Sequence, residues 1–357
     1  MSAARCEVLA AGLLQAGDAA LVCSGYNRLY CTGFASSAGA LVVTREEAVF
    51  FTDSRYIEAA CRQIRCARCV QADRLTADVA AYLRQAGIRR LFVEAESTTL
   101  ADLARLQGQV GDITLLTDDA LDRQLAAQRL VKDADELRAL RAAQAVTDAA
   151  FAHILTVLRP GIRERDIAVE LDSFMRRQGA QDVSFATIAA AGANTSLPHA
   201  VPGDYAVRPG DFVTMDFGAL LDGYHADMTR TVAVGEPSLW QKQIYDIVLR
   251  AQQATLTMLR AGVGAAAADD AARGVIAAAG YGDNFGHSTG HGVGVEIHEG
   301  PNLSGRSEQV LPAGCVVTVE PGIYLPGHFG VRIEDMALLT ETGIEDLTAS
   351  PKDLICL

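Results

Sequence analysis

Short apolar runs separated by polar, helix-forming stretches mark the first third of the chain. ALVCSG (20–25), ALVVT (40–44), AVFFTD (48–53), RLFVEA (90–95) and ITLLT (113–117) are rich in β-branched and aromatic residues and end in polar or turn residues, which predicts strands. Residues 77–85 and 100–106 carry apolar positions at helical spacing and predict helices. The first twenty residues predict an amphipathic helix. Strands alternating with helices make this an α/β domain of about 120 residues.

The pattern then changes. Lys132-Asp133-Ala134-Asp135-Glu136 places acids at a helix start, where they suit the dipole, and a helical apolar period runs on to Leu158 before Arg159-Pro160-Gly161 stops it. The domain boundary is expected near 120–132, giving domains of 1–125 and 126–357. A second helix is predicted at 164–178. Strands follow at 184–191, 212–221 and 224–234, the last two paired around Leu221-Asp222-Gly223, since Asp-Gly between apolar runs signals a hairpin. Helices at 238–260 and 265–279 and strands at 316–320 and 330–340 complete the reading. No repeat or low-complexity tract interrupts it.

Composition narrows the partners. Hydrophobic residues make up 50% and charged residues 21%, enough apolar material for two cores. The formal charge is −13, and no long basic run is present, so nucleic acid is not expected as a partner. No apolar run reaches the length of a membrane span. Glu7 and Asp18 flank a short apolar stretch, unlike a signal peptide. A soluble cytoplasmic protein is the expectation. Among the eight cysteines, Cys61, Cys66 and Cys69 cluster, and Cys66-Ala67-Arg68-Cys69 has CxxC spacing. That spacing suits a zinc or redox site, but no second CxxC and no nearby histidine completes it, so ordinary reduced thiols are expected.

Candidate chemistry lies where acids interrupt apolar strands. Asp216 sits in VTMDF, Asp227 in HADMT, Glu320 at the end of VVTVE and Glu334 in VRIEDM. A buried carboxylate is costly unless paired or metal-bound, so four in one domain call for a common cause. Asp216 and Asp227 straddle the 221–223 turn and are expected opposite or nearly opposite each other, where they would repel without a cation between them. His291 lies in GHSTGHGVG, with glycines that let the backbone approach a site. One imidazole with four carboxylates suits Mn²⁺, Co²⁺, Fe²⁺ or Zn²⁺. The charge suffices for two ions, which at about 3.5–4 Å apart can share and activate a water.

The order Asp216, Asp227, His291, Glu320, Glu334 resembles the five-ligand signature of the M24 "pita-bread" metallopeptidases. This family includes methionine aminopeptidase, Xaa-Pro aminopeptidase and Xaa-Pro dipeptidase (prolidase). The matching segments are MDFGALLDGYHADMTRT, GHSTGHGVGVEIHEGP, TVEPGIY and GVRIEDM. LYCTGFASSAGALVVT and FFTDSRYIEAA resemble the N-terminal domain of the proline-specific members, so the likeness covers essentially the whole chain. It implies an α/β creatinase-like domain followed by an α+β pita-bread catalytic domain. It further implies two divalent ions, manganese first, on Asp216, Asp227, His291, Glu320 and Glu334. Glu320 matches the general base or proton shuttle, His199 the histidine near the leaving group, and His298 the one that contacts substrate or the tetrahedral intermediate. His287 and Arg332 match positions lining the proline pocket. Proline-containing peptides as substrates and a homodimer are expected.

Other motifs lack their complements. Asp216-Phe217-Gly218 spells DFG without an HRD-type loop, and no histidine stands at 302 to complete HExxH after His298-Glu299. No P-loop lysine is evident. A metal-free creatinase-type hydrolase and a non-catalytic binding module share the fold but depart at the ligand positions, all five of which are kept here. Between the proline-specific activities, TGF-x-x-S-x-G and TDSRY favour the aminopeptidase, with the dipeptidase as the alternative.

Overall fold

The alternating runs of the first third form one six-stranded sheet in a computed structural model that describes residues 2–357. The chain divides into two units, Met1–Arg129 and Leu130–Leu357. In the first, α1 (Ser2–Leu13), β1 (Asp18–Val22), α2 (Gly25–Thr32), β2 (Ala40–Val43), β3 (Ala48–Thr52) and α3 (Ile57–Gln63) are followed by β4 (Arg68–Gln71), α4 (Leu75–Gln85), β5 (Arg90–Val93), α5 (Leu100–Val110), β6 (Thr114–Leu116) and α6 (Ala120–Leu130). Strand order is β4-β3-β2-β1-β5-β6. β1 runs parallel to β5 and antiparallel to β2, so the sheet is mixed. Every residue of β1 and β2 is buried, as their uninterrupted apolar reading requires of central strands.

The expected strand at 20–25 stops at Val22, because Ser24 becomes the N-cap of α2, its hydroxyl accepting from the Asn27 N–H. That helix, GYNRLYCT, starts on glycine and is rich in strand-forming residues. Burial of five of its eight residues overrides that weak propensity. α3, β4 and α6 were likewise not anticipated from the pattern.

The second unit opens with α7 (Ala134–Ile154), whose start carries a capping box between Asp133 and Glu136. α8 (Glu164–Arg177), β7 (Asp182–Val183), β8 (Ile188–Ala191), β9 (Asp211–Phe217), β10 (Ala219–Leu221), β11 (Tyr224–His225) and β12 (Met228–Val234) follow. Next come α9 (Leu239–Met258), α10 (Ala265–Ala278), β13 (Gly290–Gly292), β14 (Glu299–Leu303), β15 (Val316–Val319), β16 (Gly322–Leu325), β17 (Phe329–Arg332), β18 (Asp335–Leu339) and β19 (Ile344–Asp346). The strands form sheets β12-β9-β8, β11-β10-β7, β14-β13-β15-β18-β19 and β16-β17. One core joins α7 and α8 to β9 and β12 through Phe151, Ile167, Leu171, Met215 and Phe217. Another joins α9 and α10 to β16 and β17 through Ile244, Val248, Ile276, Ile323 and Val331.

The single strand expected at 330–340 is two strands in two sheets. β17 pairs with β16, β18 pairs with β15, and the chain crosses between them at Ile333-Glu334. The run stays apolar across the break because Ile333 is buried there as fully as its neighbours. Periodicity therefore carries no mark of the crossing.

Candidate metal centre

The hairpin that carries the first two acids turns at Asp222 and Gly223, with φ of 52° and 78°. Two left-handed residues make a type I′ turn, and Asp-Gly is the pair that tolerates it. The register then sets Leu221 against Tyr224 and Asp216 against Thr229. Asp227 precedes Thr229 by two residues, so the two acids lie diagonally across the ladder, the nearly opposite placement that their spacing implies.

His291 sits on β13 between β14 and β15, where the backbones leave no room for side chains on either flank. A Cβ on Gly290 would fall 1.9 Å from the Thr318 carbonyl oxygen, and one on Gly292 would fall 2.1 Å from that of Gly300. The His291 N–H donates to Thr318 Oγ1 (3.0 Å), and its Nδ1 faces the Gly292 carbonyl at 3.0 Å. A carbonyl can only accept, so Nδ1 carries the proton and Nε2 is turned toward the acids. Nε2 lies 3.4 Å from Asp227 Oδ2 and 3.5 Å from Glu320 Oε1.

Glu334 comes from the crossing between β17 and β18. Its N–H donates to the Thr229 carbonyl (3.1 Å), and the Thr229 hydroxyl donates to its Oε2 (2.8 Å). Oxygen and nitrogen atoms of Asp227, His291 and Glu334 lie within 4.8 Å of one another. Glu320, just past β15, is held by its N–H to the Thr289 carbonyl and by the Thr318 hydroxyl on Oε1 (3.4 Å). Asp216 Oδ2 accepts from Arg332 Nη2 at 2.6 Å. Asp227, His291 and Glu334 therefore form one tight group, Glu320 lies against His291, and Asp216 stands outside that group on Arg332.

The acids repel one another there. Two carboxylate charges 4.8 Å apart cost about 3 kcal/mol at an effective dielectric near 20. Burial, and then the Asp216 charge, push Asp227 up to about 6 against the pull of His291. Burial lifts Glu320 to about 7, and lifts Glu334 well above the usual carboxylate range with added repulsion from Asp227, Glu320 and Asp216. Burial pulls His291 down, but its hydrogen bond to Asp227 and the nearby acids outweigh that and raise it to about 9. Two buried oxygens, Asp216 Oδ1 and Glu334 Oε1, have no hydrogen-bond partner. Crowded acids with unfilled lone pairs and one imidazole are a donor set that fits hard divalent cations.

The remaining expected site residues surround this locus. Arg332 is 3% exposed and its donors are largely engaged: Nε by Thr229 Oγ1, Nη1 by the Tyr324 hydroxyl and the Pro198 carbonyl, Nη2 by Asp216. Because Tyr324 accepts from Arg332, its own proton goes to His287 Nε2, 2.9 Å away, and His287 Nδ1–H goes to the Ser288 carbonyl. Burial and the Arg332 charge hold His287 down at about 4, so this imidazole is neutral. The His298 ring meets the His291 ring edge to face at 4.4 Å, and burial followed by the His291 charge lowers its affinity for a proton. His199 is exposed, next to the Pro198 carbonyl that Arg332 holds.

Sequence reasoning passed over Thr229 and Tyr324. Thr229 links Glu334 to Arg332, and Tyr324 links Arg332 to His287. The signal for Thr229 was its place two residues beyond Asp227, on the same face of the strand. Tyr324 has no comparable mark.

The profile of Metallopeptidase family M24 matches residues 138–341, more than half of the chain, and that of the Creatinase/Prolidase N-terminal domain matches 14–131. The chain belongs to metallopeptidase family M24. A solved structure titled Xaa-Pro dipeptidase from Bacillus anthracis superimposes on this M24 enzyme with a TM-score of 0.96, at 42% identity and over 100% of both chains. An Xaa-Pro dipeptidase of Pyrococcus horikoshii is 34% identical over 95% of this chain and 94% of its own. The X-Pro aminopeptidase structure from Thermotoga maritima gives a TM-score of 0.90 at 35% identity, covering 97% of this chain and 98% of its own. The first unit of this M24 enzyme is thus a creatinase-like α/β domain, and the second is the α+β pita-bread metallopeptidase domain.

Proposed function

We propose that this M24 enzyme is an Xaa-Pro dipeptidase that holds two divalent ions, manganese in the native state, on Asp216, Asp227, His291, Glu320 and Glu334. The observation that carries the reading is the close grouping of Asp227, His291 and Glu334, with Glu320 against His291 and unfilled lone pairs on Asp216 and Glu334. The sequence motifs lean toward the aminopeptidase. The relative matched over the full length of both chains carries the dipeptidase name and favours that activity instead.

Bound at this locus, divalent ions supply Lewis-acid activation of the scissile carbonyl and of a water nucleophile. The chain's own residues do the rest. Glu320, a carboxyl already balanced near pH 7 by burial, takes the proton of the attacking water and returns it to the departing proline nitrogen. His298 and His199 flank the locus and donate to the developing oxyanion and the leaving group. Neutral His287 and the apolar ring of Tyr324 shape the proline side, while Arg332 orients Asp216. The bond before proline is a tertiary amide without N–H, so it cannot be gripped as an extended strand; a compact, charge-polarised pocket dispenses with that hydrogen bond. A homodimer in the cytoplasm completes the proposal.

The test compares Gly-Pro with Ala-Pro-Ala, using protein stripped by a chelator and reloaded with Mn²⁺. Cleavage of Gly-Pro alone, restored by the ion, is expected. Release of the first residue from Ala-Pro-Ala with no Gly-Pro cleavage reassigns the enzyme as the aminopeptidase. No turnover of either with metal bound sinks the proposal.

A further inference from the structure

Five cysteines of the first unit gather in one region. Cys6 lies on α1, Cys31 on α2, Cys61 on α3, Cys66 in the segment before β4 and Cys69 on β4. The CxxC pair does not act as a pair. Cys69 is hydrogen-bonded to Cys61, while Cys66 has a separate acceptor. Its Sγ lies 3.4 Å from the Cys31 carbonyl oxygen, and Cys6 Sγ lies 3.9 Å from the same oxygen. The Cys6 thiol also hydrogen-bonds the thiols of Cys31 and Cys66. Cys6 and Cys66 together line a cavity of about 160 Å³, with Ala10, Val43, Arg45 and Glu47 on its walls. Cys31 is fully buried and lies outside that lining.

We propose that Cys6 and Cys66 are an oxidisable dithiol that hydrogen peroxide converts to a disulfide through this cavity. Two thiols from separate elements whose sulfurs meet the same carbonyl oxygen, at 3.9 and 3.4 Å, can be brought toward disulfide geometry by side-chain rotation. The sulfurs do not form a metal cage. Among the described residues, the group of three or more ligand atoms within 4.8 Å of one another is the acid–histidine set of the other unit. The cavity admits a molecule the size of peroxide to a half-buried Cys66, whereas Cys6 is 4% exposed.

Cys66 sulfur, as thiolate, attacks one peroxide oxygen. The O–O bond breaks, leaving Cys66 sulfenic acid, and the released hydroxide takes up the thiol proton as water. Cys6 sulfur then attacks the sulfenic sulfur. An S–S bond forms, the S–O bond breaks, and the leaving hydroxide departs as a second water with the Cys6 proton. Two electrons pass from the sulfur pair to one peroxide, and the product ties α1 to the segment before β4.

The test treats the full-length reduced protein with peroxide, blocks remaining thiols by alkylation, and maps non-reduced peptides by mass spectrometry. A Cys6–Cys66 peptide as the first and main cross-link is expected. Cys66→Ser abolishes it. Cys6→Ser leaves the Cys66 sulfenic acid without its partner, so dimedone labelling there rises several-fold over wild type. A Cys61–Cys69 cross-link forming first, oxidation confined to Cys23 and Cys356, or an equal Cys6–Cys66 yield from urea-unfolded protein would overturn the proposal. Because the wild-type map needs no substitution, it decides the question even if a variant fails to fold.

Discussion

Buried acids occur in both units, and they are held in two opposite ways. In the first, Glu94 is 1% exposed and accepts from the Cys23 and Ser24 N–H groups, the Ser24 hydroxyl and the Asn27 amide at 2.5 to 2.8 Å. Asp122 likewise accepts from the Ala95 and Glu96 N–H groups. In the second, Glu334 is as deeply buried, yet one oxygen has a single hydroxyl donor and the other has none. The contrast reaches its sharpest between adjacent residues. Asp335 is met by Arg230, Gln252 and Lys352, while Glu334 beside it is left short. A carboxylate ringed by donors is a joint of the scaffold. One left short of donors among like charges is a cation ligand in waiting.

Four experiments break or sharpen that distinction. Asp227→Ala or Glu334→Ala should lower kcat/KM by about 10³-fold or more, roughly 4 kcal/mol of transition-state stabilisation, and reduce bound metal measured by elemental analysis. Normal metal content with surviving turnover erases the contrast. Glu94→Ala should strand several donors and cost about 3 kcal/mol in a denaturation experiment, while metal per folded molecule stays unchanged. If metal content falls with it, the two kinds of acid are not separate. Thr229→Val removes the only donor to Glu334 and should weaken metal affinity about 10–100-fold, read by competition with a chelating dye. An unaltered affinity would show that the hydroxyl orients nothing.

The last effect concerns protons. In metal-free protein, His291 holds its proton up to about pH 9 and Glu334 keeps one well above the usual carboxylate range. A cation must displace them, so affinity should rise with pH from 6 to 9, by about tenfold per unit for each proton released. Calorimetric titration at pH 7 in two buffers of different ionisation enthalpy checks this. Identical heats in both would mean that no proton leaves.

The candidate ligand residues were legible because acids inside apolar strands are anomalies, and His291 because glycines crowd it on both sides. Their family resemblance carried the fold. What stayed hidden was set by tertiary packing. The Asp222-Gly223 turn announced a hairpin, but its register made Thr229 the partner of Asp216. The break at Ile333-Glu334 left no trace in a continuous apolar run. α2 formed against its propensity because its neighbours bury it. The CxxC spacing drew attention to Cys66 and Cys69, whereas Cys66 packs with residues far away in sequence. The choice between dipeptidase and aminopeptidase was not legible, since the family resemblance that the motifs carry covers both activities.

Arg230 has a consequence for synthesis. Its guanidinium is fully buried and grips the carbonyls of Thr229, Glu334, Ser350 and Pro351. A ribosome makes those last two residues long after the hairpin that bears Asp216 and Asp227. Until they emerge, the arginine has only part of its anchorage, the carbonyls of Thr229 and Glu334 and the carboxylate of Asp335. A product that stops before Ser350 therefore keeps the strands that bear the acids but lacks two of the four carbonyls that hold this arginine, so the last residues made tighten a frame already in place.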